Sequence, residues 1–254
     1  MASMLERKTI VITGGSTGIG RATSIRCAEE GAAVVIADIN KTAAQETCDL
    51  IKVNGGNVMF IETDVTNAAA VSSMIETTID THGALHGAFN NAGIEGAFSN
   101  ILKMTEAEFD LTVNVDLKGV WLCIKREIEQ LVSQGEGGSI VSTASVAGRV
   151  GARGGSAYCA AKHGVVGITK SVALEYARKK IRVNAVCPGV IDTPMVDRLM
   201  AETGLDRSTF EQQEPMARFG DPREISDAVV WLLSDQSSFV TGVAMPVDGG
   251  YTAI

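Results

Sequence analysis

Short apolar runs alternate along this chain with longer stretches in which apolar positions recur every three or four residues. The runs at 8–13, 32–38, 57–62, 86–90, 139–143, 181–186 and 243–247 are short and largely apolar, most of them with β-branched residues, the pattern of strands covered on both faces. Between them the period changes. It predicts helices from the GGSTGIG turn through Glu30 and over 41–53, 67–80, 105–109 and 111–132. A further helix carries Tyr158 towards Arg178, and another follows Asp221-Pro222. Strands alternating with helices imply a doubly wound parallel α/β sheet with helices on both faces. No linker or repeat divides residues 1–254, so one domain is expected, with a loop-and-helix excursion at 190–220 placed as a substrate lid.

Composition changes this picture little. A chain of 254 residues with 45% hydrophobic residues buries a full core unaided. Its net charge of −8 argues against non-specific attachment to nucleic acid or acidic membranes. Five scattered cysteines without paired spacing suggest a reduced, cytoplasmic setting. The N-terminal MASMLERKTI carries no apolar signal core and no long apolar run follows, so a soluble protein is expected. His82 and His86 are four apart, but Gly83 and Gly87 disfavour a helix joining them and no HExxH accompanies them. No metal site is expected.

Candidate chemistry gathers where strands end. Gly14-Gly15-Ser16-Thr17-Gly18-Ile19-Gly20 follows a strand and opens a helix, the setting in which glycines let backbone N–H groups approach a pyrophosphate. Asp38 and Ile39 close the second strand, where a carboxylate accepts hydrogen bonds from an adenosine ribose and repels a 2′-phosphate. NAD is therefore the expected cofactor, although Lys41 is close by. Asp64-Val65 and Asn91-Ala92-Gly93 end the next two strands and suit an adenine contact and a nicotinamide floor. Ser145 ends the strand at 139–143, and Tyr158 and Lys162 lie four apart on one helical face.

These motifs, with Asn114, Asn184 and Pro188-Gly189 followed by Thr193, resemble the short-chain dehydrogenase/reductase family over essentially the whole chain. The resemblance implies a Rossmann-like fold, a nicotinamide cofactor and hydride transfer between a secondary alcohol and a ketone. It implies that Asn114 anchors a water near Lys162, and that Lys162 also holds the nicotinamide ribose. Pro188, Gly189, Ile191 and Thr193 would meet the nicotinamide carboxamide. It further implies a homotetramer paired through the helices at 111–132 and 156–178.

Tyr158 is then the acid/base. A free phenol titrates near pH 10, so work at neutrality asks for a depression of about 3 units, roughly 4 kcal/mol. One positive charge about 4 Å away supplies about that much at an effective dielectric near 20. Lys162 is assigned that task, and Ser145 is assigned the substrate oxygen. An apolar stripe at Met195, Val196, Leu199 and Met200 favours an uncharged, hydrophobic alcohol, whereas Arg149 and Arg153 would suit a carboxylate. Two other functions fit the same core: a 3-oxoacyl-thioester reductase of NADPH type, which Asp38 opposes, and a nucleotide-binding protein without turnover.

Overall fold

The computed structural model describes residues 3–212 and 214–253. Gln213, inside the expected lid, and the chain ends at 1, 2 and 254 lie outside the described residues. Seven parallel strands form one sheet in the order β3-β2-β1-β4-β5-β6-β7. They are β1 Thr9–Thr13, β2 Ala33–Asp38, β3 Asn57–Glu62, β4 Gly87–Asn90, β5 Gly138–Thr143, β6 Ile181–Pro188 and β7 Ala244–Val247. Chain order reverses between β1 and β4, where Thr13 pairs with Ala37 on one side and Asn90 on the other. Crevices for ligands open at such a reversal, beyond the carboxyl ends of the strands.

Alternate residues of each strand feed two separate cores, as the two-residue period of a strand requires. Val11, Val35, Ala88, Ile140 and Val183 face α3 (Ala68–His82), α5 (Val120–Gln134) and α6 (Ser156–Tyr176). Ile10, Ile12, Val34, Ile36, Phe89 and Val141 face α1 (Gly18–Glu29), α2 (Lys41–Val53) and α9 (Pro222–Leu233). The result is a single three-layer α/β domain.

One expectation is corrected. The helices placed at 105–109 and 111–132 are not separated near residue 110. Thr105 caps α4 (Glu106–Val113) in a reciprocal capping box with Glu108, and the helix then runs on through one wide π turn, Asn114–Gly119, into α5. A wide turn inserts an extra residue into the helical repeat and rotates everything before it relative to everything after it. The excursion beyond β6 holds α7 (Pro194–Thr203) and α8 (Arg207–Glu211), and returns at Glu214, whose Oε1 accepts from the Val190 N–H at 2.8 Å.

Candidate active site

A continuous cleft of ≈ 1280 Å³ lies along the carboxyl ends of the strands. Every residue expected to hold a cofactor lines it except Gly15 and Gly20, and so does every catalytic candidate except Asn114. At its nucleotide end the backbone itself is the cradle. Gly14 adopts φ +61, and a Cβ there would lie 2.8 Å from the Ala92 Cα; one on Gly20 would lie 1.9 Å from the Gly14 carbonyl. The glycines thus permit the turn to close on itself and on β4. Thr13 Oγ1 accepts from the N–H groups of Asn91 and Ala92 at 3.0 and 3.1 Å, locking the turn to the NAG segment. No side chain caps α1, so its first N–H groups are left for an anion.

Asp38 sits at the end of β2 and grips the same turn. Its Oδ2 accepts from the Ser16 N–H at 3.1 Å and the Ser16 hydroxyl at 2.6 Å, while Oδ1 accepts from the Asn40 N–H. Asn40, not Asp38, caps α2. Lys41, the nearby cation, is engaged by Glu62 at 2.8 Å. Asp64 is bonded by the N–H and hydroxyl of Thr66. A glycine cradle, an uncapped helix start and a carboxylate at the ribose position fit a nicotinamide dinucleotide.

Farther along, Ser145 ends the β5 exit and accepts from the Ala147 N–H at 3.1 Å. Tyr158 and Lys162 project from the first turns of α6, with Lys162 Nζ 5.4 Å and the Phe98 ring centroid 6.3 Å from the phenol ring centroid. Lys162 is buried and donates to the Thr143 carbonyl at 3.1 Å. Its other neighbour is unexpected: Asp116 Oδ2, at 3.6 Å, from a fully buried carboxyl in the π turn.

That neighbour bears on two expectations. Asn114 is half-buried and does not reach the cleft. The position beside Lys162 belongs to Asp116, two residues further along the wide turn. The phenol, too, is displaced in the opposite direction to the one expected. Burial holds Tyr158 above its ordinary value; Lys162 pulls it down, Asp116 pushes it up, and a side-chain hydrogen bond with Ser145 pulls it down. Burial alone would lower Lys162, but Asp116 and Tyr158 raise it above its usual range, so it stays charged.

Ile94, Phe98, Val146, Met195, Leu199 and Phe210 line the cleft on the substrate side. Arg153 lines it as well, whereas Arg149 turns away and donates to the Ala244 carbonyl at 2.9 Å. Neither Phe98 nor the ion pair between Glu95 and Arg198 was singled out in the sequence. That pair is bidentate, at 2.7 and 3.1 Å, and ties α7 to the loop after β4 across the cleft mouth. Cys159 Sγ accepts from the Ala152 N–H, and His163 Nδ1 meets the Cys159 carbonyl, so both serve the local structure. Asn184 does likewise, bridging Val240 and Val243.

A hydroxyl, a phenol and a buried ammonium beside a nucleotide-shaped cleft at a sheet's switch point define an oxidoreductase acting on alcohols or ketones. Comparison with known proteins makes the family definite. A family profile described as enoyl-(acyl carrier protein) reductase matches residues 14–252. A 2,5-dichloro-2,5-cyclohexadiene-1,4-diol dehydrogenase of Sphingobium indicum is 40% identical over 252 residues, covering 99% of this chain and 100% of the relative. A cyclohexanol dehydrogenase of Acinetobacter sp. is 39% identical, covering 100% of this chain and 98% of its own. Among solved structures, levodione reductase superposes with a TM-score of 0.95 at 38% identity, over 98% of this chain and 99% of that one. Carveol dehydrogenase from Mycobacterium avium, in complex with NAD, has a TM-score of 0.95 at 30% identity, over 99% and 100%. The chain belongs to the short-chain dehydrogenase/reductase family.

Proposed function

We propose that this protein is an NAD-dependent dehydrogenase of cyclic secondary alcohols that also reduces the matching ketones. The observation that carries the reading is the apolar lining of the cleft that holds Tyr158: Ile94, Phe98, Val146, Met195 and Leu199 offer contact to a ring, with Arg153 and the Glu95-paired Arg198 as the cations beside them. Two relatives with the full-length match described above are named for cyclohexanol and a cyclohexadiene diol, which supports a six-membered ring as substrate.

The bound nicotinamide supplies the hydride acceptor or donor. The chain's own residues supply the rest. Ser145 hydrogen-bonds the substrate oxygen and Tyr158 exchanges its proton with that oxygen. Lys162 holds a positive charge beside the phenol and favours its ionised form. Asp38 accepts the adenosine ribose hydroxyls and repels a 2′-phosphate, and Lys41, bound to Glu62, is not free to offset that repulsion. α7 and α8 act as the substrate lid. The reading includes a homotetramer and a cytoplasmic setting in which the five free cysteines stay reduced.

The test is oxidation of cyclohexanol and substituted cyclohexanols, followed at the NADH absorbance band with NAD and with NADP. We expect turnover with NAD at least about tenfold more efficient than with NADP, a difference of about 1.4 kcal/mol. Faster reduction of a 3-oxoacyl thioester with NADPH would replace this reading with the thioester reductase.

A further inference from the structure

The acid/base scheme leaves one buried charge without a task. Asp116 is fully buried in the π turn, and its Oδ1 accepts from the Ile94 N–H at 2.8 Å. Its Oδ2 has no hydrogen-bond partner and points to Lys162 Nζ at 3.6 Å. A Cβ on Gly93 would lie 3.2 Å from that Oδ1 and 3.6 Å from the same Nζ, so the nicotinamide floor, the π turn and α6 converge on this one spot. A carboxylate is costly to bury, and here an ammonium within reach offsets the cost.

We propose that Asp116 is a positioning residue of the reaction, fixing Lys162 from behind and withholding part of the lysine's field from the Tyr158 phenol. This rests on Tyr158 being the acid/base. An uncharged group in the same place would still position the lysine, but it would leave the full positive charge acting on the phenol. The carboxylate therefore biases Tyr158 towards its protonated form, the form that delivers a proton to a ketone. Burial raises the Asp116 carboxyl and Lys162 pulls it back. The other titratable groups facing the cluster are Cys159 on α6 and Glu95 in the loop after β4, the latter paired with Arg198 on α7.

Asp116→Asn keeps the shape and an acceptor for Ile94 while removing the charge. The Tyr158 phenol is titrated by ultraviolet difference absorbance, with the Tyr158→Phe protein as blank, and the same pair is assayed for cyclohexanol oxidation across pH. In Asp116→Asn the phenol midpoint is expected to fall by about 1 pH unit, with the acid limb of kcat moving down by the same amount and KM for cyclohexanol unchanged. A midpoint that stays or rises in the folded variant overturns the proposal. A midpoint that falls while no alcohol on the panel is turned over keeps the role of Asp116 and removes the proposed substrate class instead. Asp116→Ser removes the same charge with a smaller side chain, and carries the same expectation if the Asn variant does not fold.

Discussion

Asp38 and Ser16 hold each other where β1 and β2 end, so one carboxylate shapes the glycine turn and, in the proposed reading, also faces the ribose. Asp38→Ala should raise the NADP-to-NAD ratio of kcat/KM by about tenfold or more and loosen the turn, so that KM for NAD rises as well. Tyr158→Phe should lower kcat by about 10³-fold while NADH fluorescence still reports binding; near-wild-type kcat would remove Tyr158 from the chemistry. Because burial holds the phenol above its ordinary value, neutral pH leaves it protonated. Ketone reduction should be steady through neutrality and fall as the phenol ionises, whereas alcohol oxidation should climb over the same alkaline range. A bell centred below neutrality would contradict this. At this scale the sequence is informative where spacing is local. Ser145, Tyr158 and Lys162 meet because they sit on one turn and one helix face. Asp116 was illegible for the converse reason. Its partners lie in other elements, on α6 and in the loop after β4, and nothing in NVDLKG announces the wide turn that carries it.

The run from α4 through the π turn to α5 is the element that joins site to core. Below the turn, α5 buries Glu127 completely under β4, where its Oε2 accepts from Asn90 Nδ2 at 2.9 Å. Burial pushes that carboxyl up to about 8, against the hydrogen bond from Asn90. The folded protein thus keeps a proton that the unfolded chain releases near pH 4.5. Stability from this group is full below that value and is lost as pH rises towards 8. Glu127→Gln keeps the acceptor and cannot ionise. Its Tm should therefore decline less than the wild type's between pH 5 and pH 9, and parallel profiles would show that Glu127 is not neutral when folded. The succession of strands and helices was readable from apolar periodicity, though not the wide turn that joins α4 to α5. A buried glutamate on an otherwise apolar helix face was not, because its partner lies in another element.

At the scale of the molecule, two cores sandwich one sheet, and every chemical group sits on the rim where strands give way to helices. The order of strands made that rim readable, since alternating apolar strands and helices admit few other arrangements. The outer surface carries a second signal. Phe109, Leu111, Trp121 and Val132 on α4 and α5, and Leu174 on α6, are large apolar side chains left exposed, with Trp121 at 46% and Leu174 at 84%. All but Phe109 lie on the helices expected to pair between subunits, and the proposed tetramer would cover them. Light scattering is expected to give the mass of four chains, and Trp121→Glu to reduce it; a single-chain mass for the wild type would end the assembly proposal. Among the described residues no helix is long and apolar enough to cross a membrane.

The bridge between Glu95 and Arg198 joins two residues that line the cleft. The guanidinium holds Glu95 below the usual carboxylate range, so the bridge stays charged throughout the working pH. We expect the catalytic cycle to break it, since opening motions of this kind often limit turnover. Cyclohexanol deuterated at the carbinol carbon should therefore be oxidised almost as fast as the light substrate, the hydride step being hidden behind departure of the product. In Arg198→Ala the isotope effect on kcat should emerge, because the door no longer sets the pace.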